Sequence, residues 1–179
     1  MADKGKTCKV TIDTTDCAIQ EPKGNGRSKS GRWLPFDPKW HSHKFHGAGV
    51  RYELAINIQN GFIVWLNGPF PCGQYNDIRI FKEGLQNRLA DGELVEADGI
   101  YRGVDGVRAK GDFASFSDKR AKGRARARHE NGNGKLKCFG CLKEIWRHPL
   151  EKHRHAFAAV VVIVQLSIES GESLSQVNY

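Results

Sequence analysis

No stretch of this chain is apolar for long enough to cross a bilayer. The longest such run, AFAAVVVIVQLSI, covers 13 residues and already contains a Gln and a Ser, against the roughly 20 that a spanning helix needs. The N-terminal MADKGKTCKV has no apolar stretch behind its charges, so it does not read as a secretory leader. Cysteine is sparse and odd in number, with Cys8, Cys17, Cys72, Cys138 and Cys141. That argues against a disulfide framework and for a reducing compartment. Internal repeats and heptads are absent, which excludes solenoids and coiled coils. The expectation is a soluble protein, neither secreted nor membrane-bound.

What is present suits a packed domain. The 179 residues are 39% hydrophobic and 27% charged, enough for one real core, or a core plus an arm, and too apolar for wholesale disorder. The net charge of +8 is concentrated: residues 119–154 hold 12 Lys and Arg against 3 Asp and Glu, leaving 16 basic and 17 acidic residues elsewhere. A one-signed segment of this kind points to nucleic acid more strongly than a high pI does. Within it, KRAKGRARAR has no aromatic residue, so it suits phosphate contacts and not base stacking. Lys119, Arg120, Lys122, Arg124, Arg126 and Arg128 are the expected contacts. The same run would serve as a nuclear-localisation patch in a eukaryote; otherwise the protein is expected in the cytoplasm. The plainer alternative is a solvated arm.

Periodicity gives the elements. KVTID alternates as a strand and then meets TTDC, which reads as a turn closing it. Tyr52, Leu54, Ile56 and Ile58, then Phe62, Val64 and Leu66, form two alternating runs around Asn60-Gly61, a hairpin signal. NGPFPCG is expected to break the sheet. NDIRIFKEGLQNRLADGE has helical spacing at 78, 81, 85 and 89, with Asn76 or Asp77 as its cap. ELVEAD reads as a short strand, residues 102–118 are ambiguous, and KRAKGRARAR suits a helix or a mobile arm. KLKCFGCLKEIW looks helical, and HAFAAVVVIVQLSIESG reads as a long helix stopped at Gly171. Early strands, late helices and a helix crossing between strands predict an α/β sandwich with a mixed sheet.

Two of these strands end in an aspartate, Asp13 and Asp98, and a third acid, Glu130, stands inside the basic segment. If the strands are neighbours, both aspartates emerge at one edge. In-line cleavage of a phosphodiester uses two divalent ions about 3.5–4 Å apart, and Mg²⁺ is satisfied by a few carboxylates and water. Spacing alone leaves the metal site and the simple turn or ion pair both open.

TIDTTDCAIQEP, HKFHGAGVRYELAINIQNGFIVWLNGPFPCGQYNDIRIF, VEADGIYRG, RHENGNGKLKCFGCLKEIWRH and FAAVVVIVQLSIESG, taken in this order, resemble the catalytic domain of DDE-superfamily transposase-type endonucleases, in the PIF/Harbinger-like branch. The resemblance runs from about residue 8 to the end, leaving residues 1–7 as a tail and 8–179 as the domain. It implies a ribonuclease H-like mixed sheet flanked by helices. It also implies catalytic and metal-binding acids at Asp13, Asp98 and Glu130, two Mg²⁺ or Mn²⁺ ions, DNA as partner, and a phosphate contact at Lys44. Gly132 and Gly134 weaken a helix just after Glu130, so that acid is expected on a loop, with Glu144 in reserve. A helix-turn-helix region usually precedes such a domain, and none is recognisable before the first strand. Targeting would then fall to a homo-oligomer or a separate protein, or the chain would be a truncated or domesticated DNA-binding domain that no longer cuts.

Other residues have plainer readings. Asp16 suits a turn or loop hydrogen bond, and Asp77 a helix cap or a support for the acids. His41 and His43 would share a strand face, and Cys138 and Cys141 with His148, His153 and His155 imitate a zinc module. The spacing of that second group is shorter than a zinc finger's, so a buried helix face is the expectation for its cysteines.

Overall fold

The computed structural model describes residues 8–22, 36–109, 116–172 and 174, with the backbone alone for 116–122; the predicted tail 1–7 lies outside them. Strand β1 (Cys8–Ala18) is followed by β2 (His41–Ser42), β3 (Gly47–Asn57) and β4 (Ile63–Pro71). Then come α1 (Asp77–Glu83), β5 (Leu94–Glu96), β6 (Val107–Arg108), α2 (Phe116–Lys137), α3 (Gly140–Lys143) and α4 (Leu150–Glu169).

The strands form one mixed sheet in the order β4–β3–β1–β5–β6, with short β2 also paired to β3. β3 runs antiparallel to both β1 and β4, whereas β5 is parallel to β1 and β6 parallel to β5. The predicted mixed α/β architecture is therefore present. Helices cover both faces. Tyr52, Leu54 and Ile56 pack on one side with Leu136 of α2 and with Phe157, Val160, Val164 and Ile168 of α4. Ile12, Ala55 and Val95 pack on the other with Phe81 and with Tyr101, which lies just past β5.

The β3–β4 hairpin forms where Asn60-Gly61 predicted it, with Gly61 at φ 77° and the Asn57 side chain accepting from the Gln59 and Asn60 amides. NGPFPCG does not break the sheet: β4 continues to Pro71, paired to Val50 and Arg51. Among the described residues β4 pairs with β3 alone, and an edge strand tolerates proline because one side of its ladder needs no donors. The helix predicted to reach residue 89 stops at Glu83 and is followed by a 3-10 turn, Leu85–Arg88. An added Cβ on Gly84 would stand 2.4 Å from the Asn67 side chain, so this position packs against β4 too closely for the helix to run on with a side chain there.

KRAKGRARAR is helix and not arm. α2 runs unbroken through Gly123, Gly132 and Gly134, so Glu130 is on a helix and not on a loop. Tertiary contact overrides propensity here: a Cβ on Gly132 would come within 2.7 Å of Ile56 Cδ1, so glycine lets the helix lie close on the sheet. KLKCFGCLKEIW is helical only in part, ending α2 and forming the short α3. Cys138 is exposed and Cys141 half-buried, which corrects the expectation of a shared buried helix face. α4 ends as predicted, with Gly171 at φ 103° immediately after the Ser170 cap. Among the described residues no helix is long and apolar enough to cross a membrane.

Candidate active site

Asp13 does not end a strand. β1 continues through both threonines and Asp16 to Ala18 because β3 pairs with it along that whole length. The turn expected at TTDC is therefore absent. What ends early is the other partner: β1 and β5 pair only as far as Thr11 and Glu96. Asp13 and Asp98 each lie two residues beyond that last parallel pair, so the register sets them at matching positions just past the paired stretch, Asp13 still within β1 and Asp98 beyond the end of β5. Strand β5 closes at Glu96, and Asp98 caps the following 3-10 turn by accepting from the Gly99 amide at 2.7 Å.

Side chains alternate across β1. Thr11, Asp13 and Cys17 face α2, whereas Thr14 and Asp16 face the α1 side. Along α2 the facing residues recur at helical spacing. His129 pairs with the Thr11 hydroxyl at 2.9 Å, Asn133 donates to Asp13 Oδ2 at 3.4 Å, and Lys137 donates to the Asp16 carbonyl and to Cys17 Sγ. Glu130 belongs to the same stretch. It is exposed, and its Oε1 accepts from Arg126 Nε at 3.1 Å.

Arg126 joins the acids. Its Nη1 lies 3.4 Å from Asp98 Oδ1 while its Nε holds Glu130, and its charge also acts on Asp13. One guanidinium thus bridges two of the predicted acids and acts on the third through its charge alone. Burial pushes the Asp13 carboxyl above the usual range; the Thr14 amide and the charges of Lys44 and Arg126 oppose this, and Asp77 adds to it. A carboxyl in that position favours any cation that can share its surroundings.

The opposite face of β1 braces the site. Asp16 is neither a turn residue nor a candidate ligand. Its side chain is 1% exposed and is held by Arg51 Nε at 2.7 Å and by the Ser42 hydroxyl at 2.8 Å. Burial raises this carboxyl, but Arg51 and Ser42 outweigh it and hold the group below its usual range. Asn76 caps α1 through the Arg79 amide. Asp77, freed from capping, accepts from Thr14 at 2.8 Å and pairs with Arg51 at 2.8 Å.

The predicted phosphate contacts divide. Lys44 lies in the turn after β2, where its charge acts on both Asp13 and Asp16. Arg126 is committed to the acids. Arg128, expected to face phosphate, is turned inward: it is 5% exposed and donates to the carbonyls of Ile58 and Gln59 in the hairpin turn. Arg124 is half-buried on α2. The side chains of Lys119, Arg120 and Lys122 lie outside the described residues. The reserve acid Glu144 is exposed and caps α3, a different helix from that of Glu130.

Among the described residues no group of three or more carboxylates, histidines or cysteines is close enough to hold one ion as it stands. Of the two zinc-like groups, His41 and His43 touch edge to face at 5.1 Å, and only His41 is on a strand. His153 is buried with its Nδ1 2.7 Å from the Tyr52 hydroxyl. The three acids nevertheless fit a hard divalent cation in chemistry. All their donors are oxygen, two of the side chains are about half exposed or more, and a cation already stands between them. Asn133 and Arg126 were not expected in these roles. The signal was available: residues 126, 130, 133 and 137 are all polar and recur at spacings of four, three and four. No protein-family model matches the sequence, and comparison with curated proteins and with solved structures returned no match either.

Proposed function

We propose that this protein is a metal-dependent DNA endonuclease of the transposase type, built on a ribonuclease H-like sheet. One observation carries the reading. The β1–β5 register sets Asp13 and Asp98 at matching positions just past the last parallel pair, and α2, which carries Glu130, bonds to β1 there through His129 and Asn133. The strand order and directions, with only β3 antiparallel to its neighbours, support the fold that the resemblance implies.

Asp13 and Asp98, with Glu130 closing from α2, would hold two Mg²⁺ or Mn²⁺ ions. The ions, when bound, activate water and stabilise the leaving oxygen of an in-line displacement. The chain's own part is to position and to compensate charge. Thr14, Asp77 and Arg51 fix the strand that presents Asp13, and Asn133 orients its second oxygen. Lys44 and the outer cations of α2 would hold the DNA backbone without regard to sequence.

A second reading has its own observation. Arg126 already pairs with both Asp98 and Glu130 and offsets part of their charge, as a domain that binds DNA but has lost its ions would require. Nicking of supercoiled plasmid separates the two. The purified protein with Mg²⁺ or Mn²⁺ should nick, and Asp13→Asn and Asp98→Asn should not, while salt-sensitive DNA binding persists in all three. Cleavage retained in both variants defeats the assignment of the acids; no cleavage by a folded, DNA-binding wild type selects the silent domain.

A further inference from the structure

We infer that Arg126 is a resident counter-ion of the acid cluster, which competes with the divalent cation for Asp98 and Glu130 and leaves them when that cation enters. The inference rests on the metal-site reading above. Arg126 bridges acids from two different elements, Asp98 after β5 at 3.4 Å and Glu130 one helical turn along α2 at 3.1 Å. Both carboxylates are ones a metal would need.

The bridge is built to open. Arg126, Asp98 and Glu130 are 54%, 49% and 63% exposed, and exposed pairs are weak enough to exchange partners. A divalent ion brings twice the charge of a guanidinium into the same space and repels it. Arg126 remains tethered to α2, so its displaced head stays beside the site with all five donors free. A guanidinium fork matches a phosphate as well as a carboxylate. The cation would therefore recruit a phosphate contact as it binds, and by linkage each would favour the other.

The test is calorimetric titration of Mn²⁺, without DNA, into the full chain and its Arg126→Met, Arg126→Lys and Asp98→Asn variants. Each exposed pair opposes the metal by a factor of up to about five, so Arg126→Met should bind Mn²⁺ about three- to tenfold more tightly than the wild type. Arg126→Lys keeps the charge and should stay within about twofold. Thermal melts confirm that each variant is folded. If Arg126→Met binds no more tightly while Asp98→Asn binds more weakly, the metal site stands and the competition is refuted. An equal gain in Arg126→Lys also refutes it. If no protein binds Mn²⁺ saturably, the metal-site reading falls and the inference falls with it.

Discussion

Replacing Glu53 by Gln should make the protein markedly more stable at pH 8 relative to wild type than at pH 4.5. Glu53 lies on β3 with no exposed surface. Its Oε2 accepts from the Trp65 indole at 2.8 Å, and its Oε1 has no hydrogen-bond partner among the described residues. Burial pushes the carboxyl from 4.5 up to about 7; the Trp65 bond opposes this and the charge of Asp77 adds to it. A raised acid stabilises the folded state fully below its unfolded value, and that stabilisation is lost as pH rises through the folded value. The interval is about 2.5 pH units, and at 1.36 kcal/mol per unit the loss between pH 4.5 and 8 is about 3 kcal/mol. Gln keeps an acceptor for Trp65 but carries no titrating proton, and its amide nitrogen would lack a partner, at about 1–2 kcal/mol. The net gain at pH 8 is then about 1–2 kcal/mol, reversing at pH 4.5. His129 and His153, which burial pulls down to about 4, tilt both proteins the other way over part of this range and cancel in the difference. Urea unfolding of both proteins at half-unit pH steps, followed by tryptophan fluorescence, measures it. A stability difference that does not change with pH refutes the reasoning.

Three further substitutions test the packing that positions the acids. Gly132→Ala should destabilise by about 1 kcal/mol although Ala is the better helix former, because Ile56 is buried and must move; Gly134→Ala, where a Cβ meets nothing within 4 Å, should stabilise by about 0.5–1 kcal/mol. Urea midpoints read both, and equal effects at the two glycines would contradict the close approach of α2. Asp16→Ala should cost about 3 kcal/mol, since it strands the Arg51 guanidinium, which is only 14% exposed, with Asp77 as its remaining carboxylate. A loss under 1 kcal/mol in thermal or urea unfolding would mean that the pair carries little.

The elements that depend on local pattern were legible in the sequence. The β3–β4 hairpin follows from alternation around Asn60-Gly61, and α4 follows from the length of its apolar run and from Gly171. What failed to show was decided by distant contacts. Gly132 and Gly134 look alike in sequence, and both argued against a helix; only the approach of Ile56 distinguishes a required glycine from a tolerated one. Pro69 and Pro71 looked like sheet breakers because nothing local says that β4 is an edge. Arg128 looked like every other cation in RARAR, yet it faces inward and serves the hairpin turn. Charge along a chain says which segment is basic, and the helix phase says which of its cations face water. The acids were nameable one at a time, but the matching positions of Asp13 and Asp98 depend on a parallel register that no local signal encodes.

That register also ranks the acids by how firmly they are held. Asp13 stands inside a strand that β3 pairs on one side, with α2 laid across it, and its carboxylate takes bonds from Thr14 and Asn133. Asp98 is held less tightly, by its own cap and by Arg126. Glu130 is bound by side-chain contact to Arg126 alone among the described residues, but its backbone is not loose. Arg128 ties α2 to the hairpin turn on one side, and His129, Asn133 and Lys137 tie it to β1 along the other. These bonds explain how a helix with three glycines keeps its course over the sheet, and they commit two cations, Arg128 and Lys137, to holding it there. The basic segment is therefore a positioning device as much as an electrostatic one: its inward cations hold the helix, and Arg126 holds the acids.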